Sequence, residues 1–392
     1  MASSTVVYKS AVVVDSRHWP PTVHSYTLRH LPTNAWATTA CREDVMRVLE
    51  FGDNAAAGYC GRLFRQYGAE VIRVDLPSDK QLNTADYALD IFLQTGKKRV
   101  AIDYRTEQGR TLLKRLASES NIVISDCPPA LLDELDWQSF PGDMRASITP
   151  FGLDGPYRDW QGFGPILQAI GGYTYIIGDK NKVPLSIPMR YAEYQAGQFA
   201  YMSTLASYVS DTPSNEIEIS MLETVMSLSQ WTFIYWTMQQ KVRTRHGNRM
   251  GNAHPVSLYR CRDGFIYLTI VPTFWRNLVA MLGRDDLLED KRFSTMTARI
   301  ENADALDDIL NEAFLDLTMA ECLELGQRKY RLPIGTAMTL DQILQDEHLL
   351  ARHYWQEVDV PGHGTIKMPG AAIRSTPPVK QPGLEYSGAE DG

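Results

Sequence analysis

At 392 residues the chain is long for a single hydrophobic core, so two domains are expected. A formal net charge of −8 with no Lys/Arg-rich stretch argues against nucleic acid and anionic membrane as partners. The five cysteines are scattered and never spaced CxxC, and no apolar run is long enough to span a bilayer; the expectation is reduced thiols, no metal site, no membrane anchor and a cytoplasmic address.

Residues 1–40 carry proline breaks at Pro20, Pro21 and Pro32 and read as an N-terminal arm. Met46–Phe51 then suits a buried strand, Ala55–Tyr67 has helical spacing, and Glu70–Val74 reads as a second strand. Strand, helix and strand in about thirty residues make a βαβ unit, which requires a parallel sheet with helices on its faces. The pattern recurs through Arg99–Ile102, Glu107–Ala117, Asn121–Ser125, Ala130–Leu135 and Met144–Ile148. A helix rich in small residues is expected over 196–209, a strand over Glu216–Ile219, and one long connecting helix over Ser220–Met238. Past a basic, glycine-bearing loop at 243–255, Arg262-Asp263-Gly264 turns a hairpin between Ser257–Cys261 and Phe265–Ile270. Helices follow to about residue 328, then strands and loops from Pro333 that return to the first domain. The predicted layout is α/β: an arm (1–40), a doubly wound Rossmann-like large domain (41–225), a connector (226–240), a small α+β domain (241–330) and a C-terminal return (331–392).

Asp75 closes the second strand where a ribose-binding acid would sit, but the first βα turn, DNAAAGYCG, lacks the GxGxxG that admits a pyrophosphate. There is no GxSxG, HExxH or P-loop. Among isolated histidines only His254, in the glycine-bearing loop, is kept as a catalytic candidate. Glu193, in RYAEYQAGQFA, precedes a run of small residues at a predicted helix N-terminus, where free amides and the macrodipole stabilise an anion. From the residues alone, capping remains a reading of Glu193 beside catalysis.

Several stretches in order resemble the class III CoA-transferase family, the CaiB/BaiF group. They are RVLEFGDNAAAGYCGRLFRQYGAEVIRVD (47–75), KKRVAIDYRTEQGRTLLKRLASESNIVISD (97–126) and ITPFGLDGPYRDWQGFGPILQAIGG (148–172). GNRMGNAHP (247–255), YRCRDGFIYLTI (259–270) and LPIGTAMTLDQILQDEHLLAR (332–352) follow. The resemblance implies an interlocked homodimer and a carboxylate at position 193 that attacks an acyl-CoA thioester; the family carries aspartate where this chain has glutamate. It places coenzyme A, as substrate, against Asn54, Ala55, Asp103, Arg105, Asp126 and Gln161, with Gly247, Asn248, Gly251 and Asn252 in a loop over the site. Where it implies basic residues, this chain has Leu76, Glu134 and Gln161, and Asp126 replaces an asparagine. The histidine of the racemase branch falls at Phe163 and that branch's third acid near Val271, which argues against racemisation.

The expected function is acyl-CoA:carboxylate CoA transfer through Glu193. The alternatives are a CoA-independent isomerase, lyase or dehydratase using Glu193 as general acid/base with His254, and a catalytically silent subunit paired with an active paralogue.

Overall fold

Strands β1 (Arg47–Phe51), β2 (Glu70–Asp75), β3 (Lys98–Ala101), β4 (Ile122–Ser125), β5 (Met144–Thr149) and β6 (Glu216–Ser220) form one sheet in the order β3-β2-β1-β4-β5-β6. Every pairing in it is parallel. The computed structural model describes residues 45–77, 84–212, 214–376, 378–379 and 385–386; the arm expected over 1–40 lies outside them.

Between the strands run α1 (Ala55–Gln66), α2 (Thr84–Gln94), α3 (Glu107–Ser118), α4 (Pro129–Glu134), α5 (Gly164–Ile170), α6 (Tyr173–Ile176) and α7 (Tyr191–Tyr208). Alternation along each strand sorts side chains to the two faces. Val48, Ile122 and Ile124 join Ala56, Cys60, Ala196 and Ala200 on one face. Leu49, Phe51 and Val123 join Leu113, Ala117 and Leu132 on the other. Burial on both faces explains why these strands read as continuous apolar runs.

Helix α2 was not anticipated. Its Ile91 packs with Val358, Val360, Met368 and Tyr386, far along the chain, so its apolar face has no local signature. The hairpin that supplies Val358, Val360 and Met368 is β10 (Trp355–Val360) with β11 (Gly364–Pro369). Under α1 lies a buried ion pair: Lys97 Nζ reaches Glu50 Oε1 at 2.6 Å and Gly58 O at 2.8 Å. Burial lowers the Lys97 pKa to about 8, against the pull of Glu50.

The connecting helix expected over Ser220–Met238 is two: α8 (Met221–Ser227) and α9 (Gln230–Gln239). The break falls where Tyr173 Oη donates to Leu228 O at 3.2 Å, drawing that carbonyl out of the helical ladder. The hairpin forms as β7 (Val256–Cys261) and β8 (Gly264–Thr269). The strand expected from Pro333 is β9 (Ile334–Thr336), and it pairs antiparallel with β8, so this segment still belongs to the three-stranded sheet. Of the helices α10 (Trp275–Leu282), α11 (Asp286–Glu289), α12 (Met296–Glu301) and α13 (Ala303–Leu315), α10 packs that sheet through Leu278, α11 through Leu287 and α13 through Leu306, Leu310 and Phe314. Among the described residues, no helix is long and apolar enough to cross a membrane, and no three His/Cys/Asp/Glu side chains group as metal ligands.

Candidate active site

In the order β3-β2-β1-β4-β5-β6, the direction in which successive strands are added reverses between β1 and β4, and ligands of such sheets bind outside the carboxyl ends at that point. Here β1 runs into Gly52, whose φ of +132° only glycine adopts comfortably, and Asn54 caps α1 by accepting from Ala55 N at 2.7 Å. Asp126, just past β4, accepts from Asn54 N at 3.1 Å and from Ala57 N at 2.8 Å. Its carboxylate therefore takes the amides at the α1 N-terminus that a nucleotide phosphate would otherwise use. A Cβ at Gly52 would lie 2.0 Å from Asp126 Oδ1, so β1 can turn here only without a side chain. Burial pushes the Asp126 carboxyl up to about 7, against the two amides and Arg73, which pull it down. Asp75, the ribose candidate, is held by Arg73 and by Arg99 at 2.9 Å.

Glu193 is inside α7, not ahead of it: the helix starts at Tyr191, five residues before the expected position. The carboxylate also caps a different helix. Its Oε1 accepts from Gly164 N, the first residue of α5, at 3.0 Å. Phe163, at the N-cap of α5, provides no side-chain cap, so Glu193 takes that place from across the fold. A Cβ at Gly164 would stand 3.0 Å from Glu193 Oε2. Glu193 is 2% exposed, and among the described residues Oε2 has no hydrogen-bond partner. Sequence reasoning missed Gly164; the signal for it was Gly164-Pro165, since proline in the first helical turn marks a helix start. One turn on from Glu193, Gly197 rests against Ala56 O of α1, and the Tyr194 ring lies 4.8 Å from that of Tyr59.

Among the described residues, no hydrogen bond or ion pair joins the other anticipated residues to Glu193. His254 is 1% exposed, its Nε2 3.2 Å from Asp307 Oδ1. Tyr259 Oη donates to the same oxygen at 2.7 Å, and Arg249 binds Asp307 from the other side. The geometry at Nε2 is poor for a full hydrogen bond, and Nδ1 is buried without a partner among the described residues. Gly247, Asn248, Arg249 and Gly251 line a cavity of about 670 Å³ with His254 and Asp307. Gly247 N donates to Gly178 O at 2.9 Å, which ties the loop to the segment between α6 and α7. Arg105 lies in a fork on Asp103, at 2.8 and 3.0 Å. Gln161 is exposed, and Glu134 pairs with Arg110 at 2.6 Å.

A parallel sheet with this switch point, a second antiparallel sheet and a buried carboxylate seated on a glycine amide define an α/β enzyme framework. Residues 44–383 match the model of CoA-transferase family III, and the chain belongs to that family, whose members transfer CoA. It is 31% identical over 350 residues to succinyl-CoA–D-citramalate CoA-transferase of Chloroflexus aurantiacus, covering 84% of this chain and 87% of the relative. It is 23% identical over 365 residues to formyl-CoA:oxalate CoA-transferase of Streptomyces avermitilis, covering 84% and 88%. The fold is shared with a CaiB/BaiF family protein of Brucella suis, with a TM-score of 0.73 at 23% identity over 86% of this chain and 94% of that one.

Proposed function

We propose that the chain moves CoA from a short acyl-CoA to a free carboxylate through covalent intermediates on Glu193. The observation that carries this is the asymmetry of that carboxylate: Oε1 is fixed by Gly164 N while Oε2 is buried with no partner. Oε2 attacks the thioester carbonyl carbon, the C–S bond breaks, and CoA leaves as thiolate from a mixed anhydride. The thiolate then attacks Cδ of Glu193; the Cδ–Oε2 bond breaks and the donor acid departs with that oxygen. Charge built up on Oε1 in this step falls on the Gly164 amide, the stabilisation expected of an oxyanion donor. The acceptor carboxylate reverses the sequence, leaving one of its oxygens on Glu193. Each step balances without a net proton, and both reactive intermediates require that water be kept out.

Three of the relatives are named for succinyl-CoA, which makes it the first donor to assay, with small hydroxy- and dicarboxylates as acceptors. Incubation with succinyl-CoA, borohydride treatment and peptide mass spectrometry should find the alcohol derived from the thioester at Glu193; Glu193→Gln should abolish both adduct and turnover. Absence of any adduct with succinyl-CoA and with shorter and longer acyl-CoAs would defeat the proposal.

The same reading includes a second copy of the chain. Helix α9 buries none of its residues, and Phe233, Ile234, Trp236 and Met238 are all exposed. Exposed apolar side chains round so much of one helix mark an association surface, and homodimers with closed symmetry are the commonest solution.

A further inference from the structure

The segment that leads into Glu193 is tied to α5 at two points. Glu193 Oε1 accepts from Gly164 N at 3.0 Å. Earlier in the segment, Ile187 N donates to Gln168 Oε1 at 2.8 Å, and Ile187 O accepts from Gln168 Nε2 at 3.0 Å. Gly164 and Gln168 are four residues apart on α5, so both ties lie on one face of that helix. Gln168 is fully buried, and its amide meets the donor and the acceptor of a single residue, as a neighbouring strand would.

Little else fixes the entry to α7. Val183, Leu185 and Met189 are exposed, so hydrophobic burial does not hold the segment in the single chain. Leu185 N donates to Ile177 O at 3.1 Å, which closes the segment on its own start and not on α5. Arg190 gives α7 no side-chain cap. Between the two ties, Met189 has a φ of +67°, a left-handed conformation that a long side chain keeps only where its surroundings impose it. We infer that Gln168 is a positioning residue for Glu193. It pins Ile187 to the face of α5 that Glu193 caps, and so keeps Oε1 on the Gly164 amide and Oε2 in place for the thioester. It touches no reacting atom and acts through the chain from 187 to 193. The inference rests on Glu193 as the nucleophile and names what fixes that nucleophile in place.

Gln168→Met keeps the length of the side chain and removes both bonds. Formation of the Glu193 adduct in a single turnover, trapped with borohydride and followed by mass spectrometry, should slow by about tenfold to 10²-fold, the upper figure being the cost of a displacement of about 1 Å. The half-saturating concentration of succinyl-CoA should stay within about twofold, because the loss is in attack and not in binding. Every folded chain should still be labelled in the end. A residue that only stabilised the fold would lower the labelled fraction and leave the rate of the remainder unchanged. Combined with Glu193→Asp, the two losses should fall well short of multiplying, since both act on one carboxylate. If the methionine variant does not fold, Gln168→Glu is measured in the same way; it keeps an acceptor for Ile187 N, loses the donor to Ile187 O, and should also slow the adduct. Amide hydrogen exchange reads the clamp without the reaction. In the variant the Gly164 amide, whose partner is Glu193, should exchange faster together with that of Ile187. An adduct formed at the wild-type rate, or release of Ile187 alone with Gly164 still protected, overturns the inference. Release of Gly164 in a chain whose wild type forms no adduct would instead uphold the clamp and remove the proposed reaction.

Discussion

The side chain of Glu193 is one methylene longer than the aspartate the family resemblance implies, and its length matches the distance to Gly164 N, 3.0 Å from Oε1. Glu193→Asp withdraws the oxygens by about 1 Å, enough to cost roughly 10²-fold in rate when a nucleophile is misplaced. We expect kcat for succinyl-CoA to fall by about that factor, measured by steady-state assay with acceptor in excess; full activity would show that the Gly164 contact does not set the attack geometry. Asp126 makes a different prediction. Its carboxyl titrates near 3.8 when unperturbed and is raised to about 7 by burial. The folded chain therefore holds that proton more tightly than the unfolded one. The stability this confers is complete below about pH 4 and disappears as pH rises through about 7. Asp126→Asn should flatten this slope, so urea midpoints of wild type and variant should differ in their change between pH 4.5 and 8. Parallel profiles would place the titration elsewhere.

Helices α1 and α7 meet with almost no side-chain spacing. A Cβ at Gly197 would come 2.7 Å from Ala56 O and 3.2 Å from Tyr59 Cβ. Alanine there must push the helices apart, and overpacking of a fitted contact costs about 1–3 kcal/mol. Gly197→Ala should lower the melting temperature, and because Glu193 lies one turn away on α7, it should also reduce turnover. An unchanged melting temperature would show that the helices part freely. Ala196, Gly197 and Ala200 were legible in the sequence as part of a small-residue helix. Its start at Tyr191 was not, since Arg190 gives no side-chain cap to announce it.

For the whole molecule, the apolar side of α9 is the least explained surface of a single chain. Charge placed there cannot be buried without a partner, so Phe233→Asp/Ile234→Asp should convert a dimer to monomers in sedimentation velocity. If the wild-type chain sediments as a monomer, the face serves something else. Four of the five cysteines are free and buried, consistent with the expected thiols, while Cys41 lies outside the described residues.

The sequence alone determined what repeats locally: the six strands of the parallel sheet with α1, α3 and α4, the hairpin at Arg262-Asp263-Gly264, and the family. Period-two and helical spacing, turn residues and ordered motifs are properties of neighbours along the chain. Tertiary structure decided what depends on distant partners. Helix α2 is stabilised by residues some 270 positions later, and Glu193 caps α5 rather than its own helix. Asp126 closes the site where a phosphate would bind, and His254 faces Asp307 instead of Glu193. In each case the same residue types fit several partners, and only packing selects one.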